Sequence, residues 1–253
     1  MSDLSYHGSQ ALKEERIGII RGHRAAERLM QGATGTPSLG EKGCAVACTV
    51  DGYHHARYPV ELGISGAWAY LEDAVFEGLS VAEAQLWPER FLSAVPVGVD
   101  LWPAYHRVTG RILLEVALPA AQASGEPPKT LAPVEAAIRQ VAGLYEHAAQ
   151  GRVVSPTFAY WHAWGASMAW SAAESAAESA AWSAAWSAAE SAARSAAESA
   201  ARSAAESAAE SAARSAAESA ARSAAWSAAW SAARSAAWGK IARIVVEELE
   251  ASS

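Results

Sequence analysis

Apolar and polar positions along the chain follow two different rules, one on each side of about residue 155. Before it, apolar residues recur at helical spacing. Leu12, Ile17, Ile20 and Leu29 predict a helix over residues 10–31, and Trp68, Leu71, Val75 and Leu79 predict one over 66–79. Val134, Ile138, Val141 and Leu144 predict another, opened by Thr130 and Pro133 and running to about Gln150. Ser80 with Glu83 has the spacing of a capping box. The helix it opens is kinked or restarted at Pro88, and Phe91 and Leu92 carry it to Pro96. Asp100 has the character of an N-cap, with Pro103 in the first turn of a helix to about Leu118. Gly32, Gly35, Pro37, Gly40 and Gly43 mark a loop, and Pro119, Gly125, Pro127 and Pro128 mark a linker over 119–130. The run Cys44 to Val50 is apolar and fits a strand or a buried helix equally.

After an aromatic-rich entry (Phe158, Tyr160, Trp161, Trp164) the pattern becomes a low-complexity tetrapeptide repeat. Serine stands at every fourth position from Ser167 to Ser235, eighteen times. Two small residues follow each serine, alanine throughout except Met168, and the fourth residue is only Trp, Glu or Arg. Alanine is the strongest helix former, with Glu and Arg close behind. No Gly or Pro interrupts residues 167–238, and Glu/Arg pairs at i, i+4 recur, as at Glu190/Arg194 and Glu218/Arg222. The tract therefore predicts one very long Ala-rich helix, about 110 Å if straight.

Four residues overshoot one α-helical turn by about 40°, so the variable positions spiral and a two-stranded coiled coil fits poorly. Plain α-helix is favoured over a wider, π-like winding, because wide windings are normally confined to short bulges. Trp182, Trp186, Trp226 and Trp230 fall on one side of the helix in two pairs about 66 Å apart. They are the candidate partner-binding residues: large aromatics act chiefly as packing anchors, here on the rest of the chain, on a second copy, or on a gripped partner. Beyond Gly239, residues 241–249 predict a short amphipathic helix able to dock on the globular part.

The formal charge of −7 and the seven Glu against five Arg of the tract argue against nucleic acid as a partner. No apolar run approaches the twenty residues of a membrane span, and no apolar signal core follows Met1. With only two cysteines the chain does not suggest a secreted disulfide scaffold, so a cytoplasmic location is expected.

Candidate chemistry concentrates at Cys44, Cys48, His54 and His55, ligand types that zinc prefers. Cys-x3-Cys followed by adjacent histidines is not a standard zinc spacing, and a buried cysteine more commonly acts as a small hydrophobe. The same residues offer a second possibility, a thiol nucleophile with a histidine base. Glu61, Glu72, Asp73 and Glu77 offer paired carboxylates for acid–base work or a hard metal, but Glu72 and Asp73, on a helix with Trp68 and Leu71, are expected on its solvated side or paired with Arg57 or Arg90. No phosphate-loop, nucleophile-elbow or dinucleotide fingerprint is present.

The segments Gly43-Cys44-Ala45-Val46-Ala47-Cys48-Thr49, Leu71-Glu72-Asp73-Ala74-Val75-Phe76-Glu77-Gly78-Leu79 and Phe91-Leu92-Ser93-Ala94-Val95-Pro96-Val97-Gly98-Val99-Asp100-Leu101 carry a resemblance. Together with the alanine-rich repeating tail, the chain resembles a group of uncharacterised proteins encoded by phages and bacteria. The resemblance covers about residues 20–118 and the style of the tail. It implies a phage-linked or bacterial cytoplasmic setting and no particular activity; Ala47 stands where a glycine is expected.

The expected fold class is mainly α. A globular N-terminal domain (1–155) carries a repeat helix (156–238) and a short C-terminal helix (239–253). The expected function is non-catalytic: binding of a protein partner, or self-association, through the repeat and its Trp-bearing ends. The alternatives are a metal-dependent (zinc) or thiol enzyme centred on Cys44, Cys48, His54 and His55, and an ice-binding-like helix.

Overall fold

A computed structural model describes residues 4–33, 40–52, 54–123, 127–152, 227 and 231–253. The protein is mainly helical. Among the described residues the only β pairing is a single bridge, Leu29 to Gly43. The helices are α1 (Gln10–Ala25), α2 (Ala45–Val50), α3 (Arg57–Leu62), α4 (Gly66–Gly78), α5 (Val81–Ala84), α6 (Trp87–Ala94), α7 (Trp102–Ile112), α8 (Leu118–Gln122) and α9 (Pro128–Ala149). A last helix, α10, covers residues 231–250. Of the tetrad tract, residues 231–238 form the start of α10, and residues 167–226 and 228–230 lie outside the described residues.

The core is built around α4. Trp68, Ala69, Leu71, Val75, Phe76 and Gly78 are all buried on one wide face of it, and Tyr70 on the other side is exposed. Helices α2, α3, α5 and α6 pack on it, and α1 closes over α2 and α6. The ambiguous run after Cys44 is the helix α2, buried at every position. It survives burial because its polar group is satisfied: the Thr49 hydroxyl donates to the Ala45 carbonyl at 2.9 Å.

The N-terminal turn is lashed to the α6–α7 loop. Ser5 Oγ donates to the Pro96 carbonyl at 2.5 Å and accepts from Val99 N at 3.0 Å, and Tyr6 Oη donates to the Leu92 carbonyl at 2.6 Å. The turn also presses on Gly63, whose φ is +62° and where a Cβ would stand 2.1 Å from the Leu4 carbonyl oxygen. Gly63→Ala should therefore destabilise the fold by at least about 1–2 kcal/mol, read as a lowered urea midpoint at unchanged slope.

Three boundaries differ from those the sequence predicts. Helix α1 ends at Ala25 rather than near residue 31. Glu27 takes a positive φ of 54°, and Arg28 to Met30 exchange hydrogen bonds with Gly43, which buries Leu29 and closes the glycine-rich loop. The expected linker over 119–130 begins later: the helical path of α7 continues through a π turn (Leu113–Ala117) into α8, ending at Gln122. Pro119 lacks the N–H that would bond the Glu115 carbonyl, and the helix absorbs this by widening for one turn. At the far end, α10 runs through Gly239 without a break, so the boundary expected between residues 238 and 239 falls inside a helix. Helix α9 packs along α7 and the π turn, burying Ala142 and Tyr145 with Leu113, Ala117 and Ala120.

Candidate functional site

The cysteine–histidine group singled out in the sequence does not assemble as one set. Cys48 is buried, with its thiol against the Gly43 carbonyl at 3.6 Å. Cys44, at the N-cap of α2, directs its thiol to the Asp73 carboxylate. His54 is exposed. His55 is buried, stacks on Tyr70 with ring centroids 4.0 Å apart, and places Nε2 3.3 Å from Asp73 Oδ2. Among the described residues no group of three or more His, Cys, Asp and Glu side chains is arranged to hold a metal ion.

Both thiols are poor nucleophiles as they stand. Burial pushes Cys48 up to about 12, and burial together with the neighbouring Asp73 carboxylate pushes Cys44 well above the ordinary thiol range. The Cys44 thiol is therefore a hydrogen-bond donor to Asp73 rather than a thiolate.

Glu72 and Asp73 of α4 are buried instead of solvated, whereas Glu77 is half-buried and accepts from Gly32 N at 2.8 Å. Glu72 is fully buried, and the Tyr58 hydroxyl donates to its Oε2. Its Oε1 has no hydrogen-bond partner among the described residues. Burial, with Asp73 alongside, raises Glu72 to about 8, against the opposing pull of the Tyr58 bond. Arg57, which the sequence offered as a partner for Glu72 and Asp73, instead pairs with Glu61 at 2.6 Å. The cluster around Glu72 is a closed polar knot inside the core.

The feature with the form of a recognition site lies where α10 meets the body. Three devices read three parts of the helix. First, Trp238, the last variable residue of the tetrads, is 4 % exposed and lies flat over Gly78 at the end of α4. A Cβ at Gly78 would stand 2.2 Å from the indole ring carbons, so only glycine leaves this slot open. Second, Lys240 Nζ donates at 2.5 Å to the Glu115 carbonyl, the acceptor that Pro119 leaves without its i+4 donor. Third, Arg107 and Arg111 of α7 clamp the end of α10: Arg107 Nε meets Glu248 Oε2 at 2.7 Å, and Arg111 meets Glu247 at 2.8 Å and Glu248 at 3.2 Å. Between these points Ile241, Ala242, Ile244, Val245, Val246 and Leu249 are buried in the main core.

The sequence placed Trp238 in the repeat but grouped the binding tryptophans as Trp182, Trp186, Trp226 and Trp230. Those four lie outside the described residues. The slot itself had one signal in the sequence, Gly78 at the end of an otherwise apolar helix. The lysine contact had another, a proline carried inside a helical apolar pattern. No described helix is long and apolar enough to cross a membrane. Comparison of the chain with protein-family models, with curated proteins and with solved structures finds no match.

Proposed function

We propose that the protein is a non-catalytic binding or self-assembly protein in which the Ser-Ala-Ala-x tract and its tryptophans are the associating element. The helical body is the anchor, and the proposed setting is a bacterial or phage-infected cytoplasm. One observation carries the reading: Trp238, the terminal tryptophan of the tetrad register, serves as a packing anchor in a slot shaped for it. A helix with tryptophans in the same tetrad position offers the same kind of anchor to a second copy or to a protein partner. The alternative of a thiol enzyme lacks comparable support, since both thiols are held protonated.

Sedimentation velocity on the full chain tests the proposal. Replacing Trp182, Trp186, Trp226 and Trp230 together by alanine should shift the protein to a smaller sedimenting species. An unchanged distribution over a hundredfold concentration range, together with retention of every co-purifying protein, would overturn it.

A further inference from the structure

Both ends of the tetrad tract are held by one body. On the near side α9 packs along α7, burying Ala142 and Tyr145. On the far side α10 returns to the same α7, where Arg107 pairs with Glu248 and Arg111 with Glu247, and Trp238 closes over Gly78. A chain anchored in this way reverses direction at least once between its two ends.

The order of the variable residues marks a place for that reversal. Counting outward from Glu206, Arg202 stands opposite Glu210, Glu198 opposite Arg214, Arg194 opposite Glu218 and Glu190 opposite Arg222. The next two positions match Trp186 with Trp226 and Trp182 with Trp230, and a seventh matches Glu178 with Arg234. The eighth breaks the rule, Glu174 against Trp238, and Trp238 is the residue already committed to the Gly78 slot. Over the length between, the tract is the antiparallel complement of itself. A slip of one tetrad destroys this in either direction. It sets Glu198 against Glu210 and Arg194 against Arg214, or Arg202 against Arg214 and Glu198 against Glu218. Exposed ion pairs add little strength singly, but like charges in the slipped alignments fix the register.

We propose that the tract folds back on itself at Glu206, so that residues 178–202 pair antiparallel with residues 210–234 of the same chain. No Gly or Pro marks the reversal. Ser203 and Ser207 flank it, and serine is the residue of the tract whose side chain competes for backbone hydrogen bonds. The pairing gathers Trp182, Trp186, Trp226 and Trp230 into one aromatic patch. It rests on the reading of the tract as the associating element, and it gives that element a first partner, its own other half.

Disulfide trapping in the full chain tests the fold-back. Glu190→Cys with Arg222→Cys is the matched pair. Glu190→Cys with Glu206→Cys is the control, half as far apart in sequence, and the two native thiols are buried and common to every variant. With diamide as oxidant the matched pair should link within one chain at least about tenfold faster than the control, because the pairing raises the effective concentration of one thiol at the other.

A chain without the pairing would link the nearer control first, and an unbroken rod would link neither, holding positions 190 and 222 about 48 Å apart. Either result would overturn the fold-back. A matched pair that links only at twice the chain mass would overturn it as well, by placing the partner half in another copy. Failed trapping alongside tryptophan-dependent association of the wild type would sink the fold-back alone. Successful trapping in a protein that sediments as a single chain and ignores the tryptophan substitutions would sink the associating role and leave the fold-back standing.

Discussion

Trp238→Ala should cost the fold about 3–5 kcal/mol, the range for removing a large buried aromatic. Trp238 sits at the junction of α4 and α10, and Gly78 has no side chain to collapse into the space left behind. The cavity term therefore adds to the lost transfer of the indole rather than being relieved. Urea unfolding checks the number. The sharper check is the cycle with Gly78→Val, which fills the same slot from the other side. Each single change should be severe, whereas the double variant should lose much less than their sum, because the two changes act on one contact. Strict additivity would mean that the indole is not held by the slot.

Glu72→Gln should stabilise the protein at neutral and alkaline pH. The folded Glu72 holds its proton up to about 8, while an unfolded glutamate releases it near its ordinary value of 4.5. Between these values the folded state binds the extra proton, so stability falls as pH rises through the window and levels off above it. The cause is burial, with Asp73 adding repulsion from the next position and Tyr58 partly offsetting it through its hydroxyl. Tyr6 and Cys48 also feel the Glu72 charge, and burial keeps both protonated. The loss across the window is on the order of a few kcal/mol, because holding one extra proton costs about 1.4 kcal/mol for every pH step of one within it. The glutamine variant should lose this slope and stand above the wild type at pH 9 in a thermal or urea series. An unchanged slope would show that Glu72 carries its charge in the folded protein without penalty.

The helical character of the body was legible because most of its helices bury one recurring stripe, as α1 and α4 do. The acids of α4 were misjudged for a related reason. Glu72 and Asp73 fall on the same wide face of α4 as Trp68, Ala69, Leu71, Val75 and Phe76, while Tyr70 and Glu77 take the open side. An acid that falls within such a wide apolar face is a buried acid, and a rule that sends carboxylates to solvent misses it. The end of α1 was illegible because Leu29 has helical spacing but is buried by the bridge to Gly43, a tertiary choice. Cys44 and Cys48 attracted a metal reading by ligand type. Their separation from His54, and the commitment of His55 to Asp73, depend on how α2 meets α4, which spacing does not encode. At α10 the apolar pattern of 241–249 announced a docking helix, and its seat became visible only once Gly78, Pro119 and Lys240 lay together in space.

Placing an essential core helix after the tetrads makes folding wait for translation. Everything up to Gln122 can leave the ribosome and still lack the helix that sets Trp238 on Gly78 and pairs with Arg107 and Arg111 of α7. At ordinary elongation rates the missing piece arrives on the order of ten seconds later. A nascent chain cut short anywhere in the repeat exposes that apolar seat to proteases and chaperones, so only a product read through to its last helix escapes them.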